Sequence, residues 1–413
     1  MRKDSTGKER KPSVKGKRQS GIELLRIIAM LMIIGYHAMT STSMDDLYWH
    51  QIDGVKFFYE TVLGSGGWIG NVCFFTISAW FIAGSAQPSV RKSLRRAWLL
   101  EREVLFWSLT LCMAFILLSR SGVYHAAGFG ASDILQSLLP TATRQWWYVT
   151  SYMLFLIASP VLVRMLKSLD KGSHALLTCW LLVIWGVLTL IPNIDLDYSH
   201  MSTSVLMFMY WFVLISYYRW HMRPFSTRTC WAMVISGYAM YLLYWTATNL
   251  LTMFTGKLPA AQGFIILSSR MPTLLVGFGL FLLFERLRFS SRIVNYVAAS
   301  TFAVYLIHVY PASAMLLWHQ WFPLKSLLGG KLPILHVVAV ILTVFLACIV
   351  VDTVRRMIFA IAMRTPGRWF DRLWDSHPAK RMRDAFIKHV AEGKPSGAEE
   401  NVKSTDQHRH TGV

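Results

Sequence analysis

Apolar residues run together along this chain in blocks of roughly 18 or more, separated by short polar connections. A block of that length crosses a hydrocarbon core about 30 Å thick as a single helix, the one local structure that satisfies its own backbone groups without water. Ten such segments are predicted, at about 22–40, 67–86, 100–119, 146–164, 174–192, 201–219, 230–253, 261–284, 298–319 and 333–354. The expected fold class is therefore all-α, a polytopic membrane protein of about ten transmembrane helices. Outside this frame, residues 1–20 are polar and basic with too little apolar surface to fold alone, which reads as a disordered cytosolic tail. The membrane domain then spans residues 21–356. Residues 357–390 mix Trp369, Phe370, Leu373 and Trp374 with many basic groups, as an interfacial segment on an anionic leaflet would, and 391–413 reads as a second disordered tail.

Composition agrees with the pattern: 54% hydrophobic and only 15% charged residues exceed what a soluble core needs. The net charge of +20 changes the picture only through its distribution. Lys and Arg fall in tails and short loops, not on a folded basic face, so nucleic acid is not the implied partner. Arg91, Lys92, Arg95 and Arg96 share one loop side with Lys167, Lys171, Arg219, Arg223, Arg228, Arg286, Arg288 and Arg292, and the opposite connections are poorer, with an acidic one around Asp195 and Asp197. By the positive-inside rule both termini are expected in the cytosol. Trp and Tyr cluster at predicted span ends, as in Trp146-Trp147-Tyr148 and Tyr217-Tyr218-Arg219-Trp220, where they read first as interfacial anchors. The five cysteines show no paired spacing and are expected to be free, buried thiols. The first apolar segment lacks a small-residue cleavage site and reads as a retained span.

Ionisable residues inside a membrane are costly enough to be candidates for function. The first segment carries Glu23, Arg26 and His37. At about 100° per residue, the step from Arg26 to His37 returns to nearly the same helix face about 16 Å further along. That arrangement suits an anionic donor held near the cytosolic interface with a base deeper inside; it equally suits a snorkelling Arg and a His bonded to a neighbouring helix. In the second segment Asn71 and Ser78 share a face, able to line a cavity or to glue helices together. The basic group Arg91, Lys92, Arg95 and Arg96 at the cytosolic mouth is of the kind that holds phosphates, although any inner loop tends to be basic. Thr301, Tyr305 and His308 share a helical face, where they could orient a substrate, tune His37 or satisfy one another. His50, His125, His174, His200 and His221 lie near loops or span ends, where solvated or interfacial roles are commoner. No Walker-type loop, dinucleotide glycine fingerprint, HExxH helix or Gly-x-Ser-x-Gly elbow occurs, and no metal-ligand cluster is apparent.

Taken in order, these features resemble the membrane acyltransferase-3 family, the bacterial O-acetylases of surface polysaccharides and their relatives. The resemblance rests on the Arg26 to His37 spacing, on Phe74-Phe75-Thr76-Ile77-Ser78 and on the basic loop with Arg95 and Arg96. Trp147-Tyr148 with Pro160, and Ser300-Thr301-Phe302 through Tyr305-Leu306 and His308, complete it. Ala79 stands where the family usually has Gly. The resemblance implies a bacterial plasma-membrane enzyme with His37 catalytic and Arg26 essential to donor placement, supported by Glu23, Asn71, Ser78, Tyr305 and His308. It further implies acyl-CoA as donor substrate, with acetyl-CoA expected, held by Arg91, Lys92, Arg95 and Arg96, and no tightly bound cofactor or metal. Its acceptor would be a hydroxyl of a cell-envelope or extracellular polysaccharide, or of its lipid-linked precursor, with membrane lipid and polysaccharide-assembly proteins as partners. The competing reading is a polytopic glycan or lipid transporter without acyl-transfer chemistry.

Overall fold

The computed structural model describes residues 19–41, 53–85, 89–122, 124, 130–191, 201–255, 265–323, 331–362 and 367–392, with side chains placed except at 362 and 386–392. The described residues form helices and no strands. In order these are α1 (Ser20–Thr40), α2 (Gly54–Ala83), α3 (Val90–Arg120), α4 (Ala131–Leu138), α5 (Trp147–Ser168), α6 (Lys171–Leu190) and α7 (Val205–His221). They continue as α8 (Thr227–Thr255), α9 (Met271–Glu285), α10 (Arg292–Val309), α11 (311–321), α12 (Pro333–Ala362), α13 (Arg368–Asp375) and α14 (His377–Glu392). Seven of them, α1, α2, α3, α5, α6, α10 and α12, are long and apolar enough to cross a membrane. Helices also cover the other three expected segments, but α7 has 17 residues, α9 has 15, and the 29-residue α8 is not among the seven. Length and composition thus support seven crossings where ten were expected.

The clearest difference from the sequence pattern is in the ninth segment, expected as one span over 298–319. The α-helical piece Thr301–Val309 ends there, Tyr310 takes an extended ψ of 130°, and Pro311 opens the next helix. Proline has no N–H to give the preceding turn and drives the residue before it out of the helical region, so the break belongs to Tyr310-Pro311 itself. At its start α10 is tied to α1: Ser20 Oγ donates to Asn295 Oδ1 at 3.0 Å and accepts from the Ser291 amide at 2.9 Å.

Helix α1 is central, packed against α2, α9, α10 and α12. Its approach to α2 depends on glycine. A Cβ on Gly67 would lie 2.3 Å from Cγ of Tyr36, and one on Gly70 would lie 2.7 Å from the Ala29 carbonyl oxygen. At Gly70 the two helices therefore meet backbone to backbone, and at Gly67 the missing side chain makes room for the Tyr36 ring, the small-residue mode common in membranes. A π-helical turn at Phe58–Leu63 interrupts α2 near its start. Between α3 and α12 an ion network closes the bundle: Arg355 reaches Glu103 Oε1 at 3.1 Å and Asp352 Oδ1 at 2.6 Å, with Asp352 fully buried. Such a buried cluster holds together as a unit, since removing one member leaves the others uncompensated.

Several expectations at span ends change. Trp146 is buried against Tyr310, with ring centroids 6.1 Å apart, and Tyr218 is buried as well. Arg219 stacks over Trp80 at 4.1 Å and donates to the Trp80 carbonyl at 2.7 Å, covering the end of α2. These aromatics are packing groups first, because the bundle folds its neighbours over them. His174 is also fully buried, near the Val213 carbonyl at 3.3 Å and Ser216 Oγ at 3.4 Å, instead of solvated. Four cysteines are free and buried as expected, but Cys179 is exposed on α6. His50, His125, His200, Asp195, Asp197, residues 1–18 and 393–413 lie outside the described residues.

The chain divides into two compact units, Met1–Ala362 and Met363–Val413. Residues 357–362, expected in the interfacial segment, are the last turns of α12. Within the second unit, α13 and α14 are joined by Arg383, which stacks over Trp374 at 4.2 Å and donates to its carbonyl at 2.7 Å, while Trp369 is exposed.

Candidate active site

Two histidines 271 residues apart in sequence meet inside the bundle. His37 lies in the last turn of α1, His308 in the last turn before the Pro311 break, and His37 Nδ1 is 3.0 Å from His308 Nε2. The break at Tyr310-Pro311 ends α10 one residue after this turn, so the helix stops beside the pair. His308 is fully buried and His37 half-buried.

The hydrogen bonds assign the protons. His308 Nδ1 lies 2.6 Å from the Val304 carbonyl oxygen, which can only accept, so Nδ1 carries the proton. In the neutral ring Nε2 is then an acceptor, and His37 must donate to it from Nδ1. The Ile33 carbonyl, one turn back on α1, also bonds to the His37 ring. In this tautomer His37 Nε2 keeps its lone pair, and no hydrogen bond of ordinary geometry among the described residues uses it. Nitrogen tautomers assigned in this way follow from the acceptors around each ring.

A polar wall leads away from the pair. Tyr305 sits against His37 and His308, with ring centroids 6.4 and 6.3 Å away, and Tyr148 of α5 is 6.2 Å from Tyr305. One turn along α5, Tyr152 bonds to the Ser78 side chain and lies in electrostatic range of Arg26 and Arg96. Tyr148 also senses Arg26. Arg26 keeps Glu23 at 3.5 Å, with side-chain exposures of 33% and 11%, so the pair is loose and opens to one side. Beyond it, at the start of α3, a small open cleft is lined by Ser89, Lys92, Ser93, Arg96, Ser159 and Pro160. The Ser89 hydroxyl caps α3, accepting from the Lys92 amide at 3.5 Å, so a helix N-terminus adds its partial positive charge to the two side chains there.

The structure therefore brings His37, His308 and Tyr305 together and links Arg26, Ser78 and Arg96 to them through Tyr152 and Tyr148, with Lys92 beside Arg96 at the cleft. Arg91 and Arg95 are not among the residues lining the cleft. Glu23 serves Arg26. Asn71 lines a different, water-sized cavity with Trp147, Trp211 and Ser268. Tyr152 escaped the sequence reading, although it follows Tyr148 at i+4 on one face of α5, the spacing that puts two side chains side by side.

A helical bundle with membrane-length apolar helices, a basic cleft and a bonded histidine pair inside defines the class as a polytopic membrane protein. A family model described as an acyltransferase domain matches residues 19–353 of the 413, and the chain belongs to the acyltransferase-3 family. No curated protein and no solved structure matches the chain.

Proposed function

We propose that this membrane acyltransferase takes its acyl group from acyl-CoA, acetyl-CoA first among the candidates, and passes it to a hydroxyl of an envelope or extracellular polysaccharide or its lipid-linked precursor. The observation that carries this reading is the free Nε2 lone pair of His37 at the inner end of a polar wall that begins at the basic cleft. Lys92 and Arg96 hold the nucleotide phosphates, Arg26 draws the donor inward, and an extended pantetheine arm covers the roughly 16 Å of helix between Arg26 and His37. His37 Nε2 takes the proton of the acceptor hydroxyl as its oxygen attacks the thioester carbon, then returns that proton to the departing CoA thiolate. His308 keeps the His37 ring in its reactive tautomer.

Placed by the positive-inside rule, the cleft end faces the cytosol, where acyl-CoA is made, and with the even count of ten crossings that the apolar pattern predicts both termini lie on that side of a bacterial plasma membrane. The histidines then lie toward the opposite face, from which a glycan approaches. The test is acyl-CoA-dependent thiol release by purified protein in lipid, with a lipid-linked glycan extract as acceptor. Release by wild type that disappears in folded His37→Ala supports the reading. A folded wild type that moves glycan across the bilayer but releases no thiol overturns it in favour of the transporter.

A further inference from the structure

We propose that the Tyr305 hydroxyl and the free amides of the first turn of α5 form an oxyanion-binding site beside His37, which takes the carbonyl oxygen of the acyl donor. The inference rests on the acyl-CoA reading above and deepens it by naming the group that receives the developing negative charge. A base alone leaves that charge uncompensated in an apolar bundle, so the reaction needs donors fixed near the thioester carbon.

Tyr305 is 5% exposed, and its buried hydroxyl oxygen makes no hydrogen bond of ordinary length and angle among the described residues. A buried hydroxyl left bare is costly, and native structures keep few of them unless a ligand or water completes the site. The polar group acting on this oxygen is the backbone amide of Tyr148. Tyr148 is the second residue of α5, a 22-residue helix whose N-cap, Trp146, offers no side-chain hydrogen bond. The first-turn amides of a helix have no carbonyl of their own to meet, and with no capping side chain they point their N–H groups and the positive end of the helix outward. Thr150 is the first residue of α5 to bond back, to the Trp146 carbonyl at 3.2 Å. A phenol without a hydrogen bond of ordinary geometry and the uncapped start of α5 thus face each other through Tyr148, while the Tyr305 ring lies 6.4 Å from that of His37.

In the reaction the acceptor oxygen bonds to the thioester carbon, the carbonyl π pair moves onto oxygen, and His37 Nε2 takes the acceptor proton. Tyr305 Oη and the α5 amides donate hydrogen bonds to that oxyanion. Its collapse restores the carbonyl, breaks the carbon–sulfur bond, and His37 returns the proton to the thiolate. Tyr305 is thereby a catalytic residue, not a positioning one.

The experiment compares wild type with Tyr305→Phe, which removes one oxygen and keeps the ring. The expected result is a fall of about 10²-fold or more in kcat with the donor KM within about twofold, the split produced by a contact made in the transition state. A second readout needs no turnover: the infrared carbonyl frequency of a bound ketone analogue of acetyl-CoA, with methylene in place of sulfur, is expected to be lowered on wild type and to rise in the variant. If Tyr305→Phe does not fold, 3-fluorotyrosine at position 305 keeps the shape and strengthens the donor, and it is expected to lower that frequency further. An active wild type whose variant keeps kcat within twofold, or whose analogue frequency does not respond to either replacement, overturns this inference alone. A folded wild type that releases no thiol overturns the acyl-CoA reading and this inference with it.

Discussion

The two ends of the polar wall solve opposite problems. At the cleft end, Lys92 and Arg96 are exposed and Arg26 holds Glu23 only at 3.5 Å, so charge is plentiful and geometry loose. At the histidine end no ionised group is needed; two rings at 3.0 Å and a carbonyl at 2.6 Å fix every proton. Long flexible cations suit a donor that arrives and leaves, and their contacts are screened by salt. Buried rings suit a reaction in which a misplacement of about 1 Å can cost 10²-fold. Under the proposed mechanism affinity falls to one end and rate to the other.

The sharpest way to break this division is His37→Ala, expected to lower kcat by about 10²–10⁴-fold in the thiol-release assay while acyl-CoA binding, read by calorimetry, stays near wild type. Next comes His308→Phe, which keeps a flat ring but removes the acceptor that sets the His37 tautomer. Its kcat is expected to fall by about 10²-fold with an altered pH profile, and an unchanged rate would mean that His37 holds its tautomer through Ile33 alone. Arg96→Ala belongs to the other end, with the donor KM rising about fivefold at low salt, less at high salt, and kcat unchanged. A loss in kcat instead would show that the cleft and the histidines act as one unit.

The smallest effect concerns the frame and not the site. The Asp170 carboxyl, capping α6, is held below its ordinary value of 3.8 by the Ser173 hydroxyl and the amides of Ser173 and Gly172. Its contribution is full above that ordinary value and fades as pH falls through the lowered one. Protection of the first turn of α6 in hydrogen exchange is expected to drop in acid in wild type but not in Asp170→Asn, whose cap does not titrate.

Much of the site was legible because polar residues in apolar helices stand out. Arg26, His37, Tyr305 and His308 were all visible as such, and the family pattern tied them together. Their meeting was not legible, since nothing in a pattern of spans says that the end of the first packs against the end of the ninth. Trp146 and Tyr218 look like interfacial anchors in sequence and are buried in the fold, because local amphipathicity does not reveal which neighbour covers a ring. The break at Tyr310-Pro311 was available as a proline inside an apolar run, yet hydropathy summed over the window hides a single residue. Asp352 and Arg355, three residues apart at the end of the last apolar segment, carried the helical spacing of an ion pair, but their third partner, Glu103, comes from a helix far away in sequence. The helices α7 and α9, at 17 and 15 residues, are shorter than the apolar windows that predicted them, because hydropathy also counts apolar residues beyond a helix end.

The bond from His308 to the Val304 carbonyl has one more consequence. Because the chain of donors runs outward from that fixed oxygen to His37, the His37 ring keeps Nδ1 bound to its neighbour whether or not Nε2 is protonated. Neither imidazole has to rotate between accepting the proton and giving it back. Under the proposed mechanism a turnover therefore ends with this part of the protein as it began, with no resetting motion between cycles, and the slow events fall to whatever must travel: donor, acceptor and product.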